Sequence, residues 1–223
     1  MHISGDDCTH ADFYRDGRKE MIDIEEQKKI FKDHVAKFTD YGNIKILDFQ
    51  RPGSNEYRIR FLFQEDFYRL HISGDLGELT ARNYRNMNYK DFGPDFGNNP
   101  YYFEEKIYCH ERPIYEYDED KARKDIKEML EEYELPERYY IGTDDDAEAF
   151  EDFIDEVLED FDDDKGISLE GYRVLSDVDN DAWEYATKIG RESTGIIELY
   201  LLAFRLAQED LKRQESEVQD GSH

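Results

Sequence analysis

Three features of the chain predict an α+β protein. A period-two alternation is confined to residues 44–82, a 3.6-residue apolar rhythm runs from residue 118 onward, and surplus acid is concentrated in that second part. The expected architecture is an N-terminal helix plus a four-stranded antiparallel sheet within residues 1–115, followed by an acidic helical half over 116–223.

Residues 1–18 are polar and carry no periodic pattern. Asp23 is a candidate cap for a helix from Ile24 to about Phe38, with Ile30, Phe31, Val35 and Phe38 on one face. After Gly42 the period changes to two. Ile44–Phe49, Tyr57–Phe63, Phe67–Ser73 and Glu78–Arg82 read as strands joined by short polar turns, which implies an antiparallel meander. Residues 84–115 combine many aromatics with Asn, Gly and Pro, the pattern of a long structured loop with one short helix near Phe103–Tyr108. Beyond Asp118 helices are expected at about 119–133, 145–161, 178–190 and 194–213, with Gly166 and Gly171 as breaks.

The chain has 56 acidic and 29 basic residues among 223, a net charge of −27. Residues 116–164 alone hold 23 acids and 5 bases. A surface selected only for solubility would spread its charge evenly, and this one does not. Such a field repels nucleic acid and anionic membranes and favours a basic protein partner. Aromatics at 14% rule out a disordered acidic tail. Two cysteines do not make a secreted disulfide scaffold, and no apolar run has membrane length, so a cytoplasmic setting is expected.

The main candidate site is the helix near 145–161. Between Tyr139 and Phe161 ten carboxylates occur with no lysine or arginine. Phe150, Phe153, Ile154, Val157, Leu158 and Phe161 form the docking stripe, leaving Glu148, Glu151, Asp152, Asp155, Glu156, Glu159 and Asp160 to solvent. Carboxylates three or four residues apart on a helix lie roughly 5–6 Å from one another, a spacing suited to standing in for phosphates in a basic groove. The plainer alternative is a solvated acidic face. In the 84–115 loop, Tyr89, Phe92 and Phe96 are the candidate exposed anchors for a protein partner, the alternative being rings that close over the sheet.

Other chemistry is weakly supported. An EF-hand fails on register, because a loop starting at Asp160 has Lys165 where glycine is required and Gly171 where a bidentate glutamate is required. Cys8, His10, Cys109 and His110 are zinc-ligand types at unusually tight spacing. No nucleophile elbow or phosphate-binding glycine loop occurs, so neither an enzyme nor a cofactor is expected.

The segment Phe67-Tyr68-Arg69-Leu70-His71-Ile72-Ser73-Gly74-Asp75-Leu76-Gly77-Glu78-Leu79-Thr80-Ala81-Arg82-Asn83-Tyr84 is followed by Asn86-Met87, Tyr102-Phe103-Glu104-Glu105-Lys106-Ile107 and Cys109-His110-Glu111-Arg112. It resembles a group of proteins carried by phages and mobile elements of low-GC Gram-positive bacteria. The resemblance covers about a quarter of the chain and brings no catalytic residues. It implies genomic company in which small acidic proteins inhibit host defence, anti-CRISPR proteins among them. The combined expectation is an inhibitor of a host nucleic-acid-handling enzyme, with a CRISPR effector nuclease as the most concrete target. The alternatives are a metal-dependent enzyme using carboxylates or the Cys/His set, and an adaptor or structural phage protein using the aromatic loop.

Overall fold

The computed structural model describes residues 24–130, 133–140 and 146–220. The fold is α+β, built on a six-stranded antiparallel sheet whose strands follow one another in sequence order. Helix α1 (Ile24–Ile30) precedes β1 (Val35–Asp40), β2 (Ile44–Gln50), β3 (Ile59–Gln64), β4 (Arg69–Gly74) and β5 (Leu79–Arg82). Helices α2 (Tyr89–Phe96) and α3 (Pro100–Glu104) then lead into the edge strand β6 (Ile107–His110).

The four strands read from alternation are β2 to β5. The sheet gains one strand at each edge, and both corrections have a local cause. The helix expected to reach Phe38 ends at Ile30, and Val35–Asp40 pairs with β2 from Val35↔Gln50 to Asp40↔Lys45. Apolar residues at 31, 35 and 38 suit a helix, but Ala36 and Phe38 also alternate inward, and Gly42 at φ +82 makes the hairpin turn. The second added strand is β6, where the expected helix at Phe103–Tyr108 is replaced by α3 and a bulged pairing with β5.

Helix α7 (Ile196–Asp220) lies across the inner face of the sheet, against β1, β2 and β3. Ile197, Tyr200, Leu201, Phe204 and Ala207 repeat at helical spacing, and all are buried. The Phe204 ring meets Phe61 at 5.2 Å and Phe92 at 4.8 Å between centroids. Farther along the helix, Asp210 accepts a hydrogen bond from the Ala36 amide at 2.8 Å, while Gln214 donates to the Ala36 carbonyl at 3.0 Å. These two side chains hold the edge strand β1 through its backbone, a row that open sheets otherwise leave exposed.

The acidic segment is an insertion into this body. Strand β7 (Tyr115–Tyr117) leaves the sheet domain and β8 (Arg191–Ser193) returns to it, paired antiparallel from Tyr115↔Ser193 to Tyr117↔Arg191. Between them α4 (Glu119–Leu130), α5 (Asp146–Val157) and α6 (Leu169–Ser176) surround a second core. Ile126, Leu130, Phe153, Ile154, Val157, Leu175 and Ile189 are among its buried members. The expected grouping of 116–223 as one region is therefore corrected, because α7 belongs to the first core. Residues 178–190 also differ from expectation and form two short 3-10 turns, Ala182–Glu184 and Ala186–Lys188. Gly171 does not break the chain. It sits in the first turn of α6, its amide donating to Ser168 Oγ at 3.0 Å, and a Cβ there would lie 2.0 Å from the Val157 carbonyl. Among the described residues no helix is long and apolar enough to cross a membrane.

Two predictions concern the sheet domain. Asp210→Ala strands the buried Ala36 amide and is expected to lower unfolding stability by about 1–3 kcal/mol, read as a shift of the urea midpoint with unchanged slope. His34 is buried between Phe31 and Phe49, at ring distances of 5.2 and 5.1 Å. Its Nε2 faces the Tyr57 carbonyl at 3.2 Å while Nδ1 has no partner. Burial holds its pKa below the usual histidine value of 6.5. The unfolded chain thus binds this proton more readily, so the contribution is whole above pH 6.5 and is lost as pH falls toward the folded-state value. Thermal midpoints measured between pH 7.5 and 5.5 should fall with pH, and less steeply in His34→Phe.

Candidate acidic interaction surface

Helix α5 docks as its sequence pattern requires. Ala149, Phe153, Ile154 and Val157 are fully buried, Leu158 nearly so, and Phe150 and Phe161 pack at the edge of the same core. Each fully buried large side chain contributes about 1.5–3 kcal/mol, against a few tenths for each like-charge pair on the outer face.

The seven carboxylates expected to face solvent divide into two groups. Glu151 accepts Lys127 at 2.5 Å and Arg123 at 3.4 Å, and Asp155 accepts Arg123 at 2.7 Å. Glu156 accepts the Tyr139 hydroxyl at 2.5 Å and lies 3.7 Å from Arg138. Burial, followed by that hydrogen bond, pushes the Tyr139 phenol up to about 12. Glu151, Asp155 and Glu156 therefore tie α5 to α4 and to the turn at 137–139. Arg123 and Lys127 reach α5 from outside the lysine- and arginine-free stretch, so the local sequence gave no sign of them. Glu148 is exposed in the first turn of α5. Asp152, Glu159 and Asp160 are exposed and form no ion pair with the described residues.

The acidic surface continues past the helix. Asp160 adopts φ +59 and redirects the chain into a tight turn, in which Asp162 and Gly166 exchange backbone hydrogen bonds of 3.0 and 2.7 Å. The Tyr117 amide donates to the Asp163 carbonyl at 2.9 Å, seating this turn on β7. Gly166 is required there, since a Cβ would lie 2.8 Å from the Tyr117 ring. The result is a cleft of about 520 Å³ lined by Tyr117 and seven carboxylates, those of Glu116, Asp118, Glu119, Asp120, Asp163, Asp164 and Glu192. Three have a structural use: Asp118 caps α4 by accepting the Lys121 amide at 2.7 Å, and Glu119 and Asp120 complement the helix dipole. Glu116 stands directly opposite Glu192 across the β7–β8 ribbon, a pairing that disfavours the fold. Glu192 could not be placed here from sequence, because only the strand pairing brings it beside Glu116.

The aromatic candidates are relocated. Asn88 caps α2 by accepting the amides of Lys90 and Asp91, and the helix turns residues 89, 92 and 96 toward the body. Phe92 and Phe96 are completely buried, and Tyr89 is half-buried with its ring stacked on Phe38 at 4.3 Å. Their expected exposure is thus corrected; Tyr84, Tyr101 and Tyr108 are the exposed rings of this segment. Cys109 and His110 are adjacent on the edge strand β6 and both exposed, so they project to opposite faces. Cys8 and His10 lie outside the described residues. Among the described residues no three His, Cys, Asp or Glu side chains converge to hold a metal ion. No protein-family model, curated protein or solved structure matches the chain.

The end of α5 is costly in two ways that can be measured. Its last turn has no basic residue to offset the dipole, and Asp160 is non-glycine at positive φ. The double substitution Glu159→Lys with Asp160→Gly is expected to raise stability by about 1 kcal/mol or more, read from the urea midpoint.

Proposed function

We propose that this protein is a phage-encoded, non-enzymatic inhibitor that inserts its acidic lobe into the basic channel of a host nucleic-acid-handling defence enzyme. A CRISPR effector nuclease, which holds guide and target in a positively charged channel, is the most concrete target class. The observation that carries this reading is the placement of the charge. Residues 116–193 hold 29 acidic against 9 basic side chains, a net of −20, while the rest of the chain carries only −7.

The active surface is the run from Asp152 through Glu159 and Asp160 into the cleft at Asp163, Asp164, Glu116 and Glu192. These carboxylates stand where phosphates would, and the structural ion pairs behind them hold α5 rigid. Direct competition with nucleic acid follows, with association steered by the lobe's field and weakened by salt.

The test is binding of the full chain to a purified guide-loaded effector nuclease, followed by interferometry. Asp152→Lys, Glu159→Lys, Asp163→Lys and Asp164→Lys combined should weaken binding by about a hundredfold or more, since each lost charge contact contributes on the order of 1 kcal/mol. Target DNA should compete with the unaltered chain, and 0.5 M salt, where screening acts over only about 3–5 Å, should release it. Undiminished binding by a folded quadruple variant would show that mimicry is not the mechanism.

A further inference from the structure

A second feature lies on the outer face of the sheet, opposite the side that buries Leu70, Ile72, Leu79 and Ala81. Arg69 on β4 and Arg82 on β5 occupy directly opposite positions in the strand register. Both guanidinium groups lie over the ring of Tyr108 from β6, at 5.9 and 5.3 Å from its centroid. Neither forms an ion pair with a described carboxylate, and Arg69 Nε is buried without a hydrogen-bond partner. Like charges directly opposite on neighbouring strands oppose pairing. Acid is in large surplus in this chain, and the same sheet shows the ordinary solution elsewhere. Arg60 reaches across to Asp48 with two hydrogen bonds, of 2.6 and 3.0 Å.

We infer that Arg69, Arg82 and Tyr108 form an anion site that binds the phosphate groups of a nucleotide. Two adjacent guanidinium groups supply parallel donors matched to phosphate oxygens, and the tyrosine ring holds their planes in place. The aromatics around the same end of the sheet supply the rest of the ligand's complement. Phe67 and Tyr68 fill the turn between β3 and β4, immediately before Arg69, and Tyr84 follows Arg82 by two residues. All three are exposed, and Tyr68 holds a left-handed conformation at φ 46. A flat base stacks on such rings, whereas inorganic phosphate gains nothing from them. The overall charge of −27 selects a small ligand over a strand, because repulsion grows with every further phosphate while the two arginines neutralise only the first ones.

The experiment is isothermal titration calorimetry of the full chain at low salt, with ADP, inorganic phosphate, a short oligothymidylate and a glutamate-rich peptide as probes. ADP should bind more tightly than the other three. Arg69→Gln and Arg82→Gln should each weaken ADP by about tenfold or more while leaving the thermal midpoint unchanged or higher, since each relieves a like-charge contact. Arg69→Lys, which keeps the charge but loses the planar fork, should also weaken it. Absence of ADP binding, or equal binding by the folded glutamine variants, would overturn the site. Phosphate binding as tightly as ADP would overturn the nucleotide assignment, as would tighter binding of the oligonucleotide or the acidic peptide.

Discussion

The sheet can close its core only if the last helix comes back to it. Everything between β6 and α7 must therefore leave and return at one place, and the β7–β8 ribbon provides that place by holding Tyr115 beside Ser193. The Tyr115 hydroxyl donates to Glu104 on α3, and the Arg191 guanidinium lies 3.9 Å over the Tyr115 ring, so the ribbon is fastened where it leaves the body. Burial pushes the Glu104 carboxyl above its ordinary range. Once both ends are fixed, the intervening residues have room to form a core of their own.

That separate core is what lets the lobe carry so much charge of one sign. Phe153, Ile154 and Val157 on one side and Ile126 and Leu130 on the other supply cohesion that does not involve the sheet. Two bases of α4, Arg123 and Lys127, are turned to Glu151 and Asp155 of α5, while Lys121 and Lys124 pair with Asp125 and Glu128 of their own helix. The lobe thus separates its carboxylates into those that hold helices together and those that face solvent. The body follows the opposite rule on its outer sheet face, where Arg69 and Arg82 stand without carboxylates in a chain that has 27 to spare.

Local pattern was enough to find β2 to β5 and the buried stripe of α5, because each is a single periodicity read over a short window. It was not enough for Val35–Asp40, where Ala36 and Phe38 satisfy two periods at once, nor for Phe92 and Phe96, whose Gly-Pro neighbours suggested a loop although Asn88 starts a helix before them. The membership of α7 in the first core was hidden for another reason. Its apolar face is plain in the sequence, but nothing local says which surface it covers. The acidic cleft and the arginine pair were less legible still. Glu116 with Glu192, and Arg69 with Arg82, become neighbours only through strand register, which is a property of two segments and not of either alone.

The return of α7 also orders events in time. Phe204, Asp210 and Gln214 follow every strand of the sheet in the chain, so on the ribosome the inner face of the sheet stays uncovered until α7 has been synthesised. The inserted lobe has all its residues before that point and contains mostly contacts within about 75 positions, so it is the unit free to fold first. A nascent chain would then expose an uncovered apolar sheet beside a finished, strongly charged lobe. That charge keeps neighbouring chains apart during the interval in which aggregation is most dangerous.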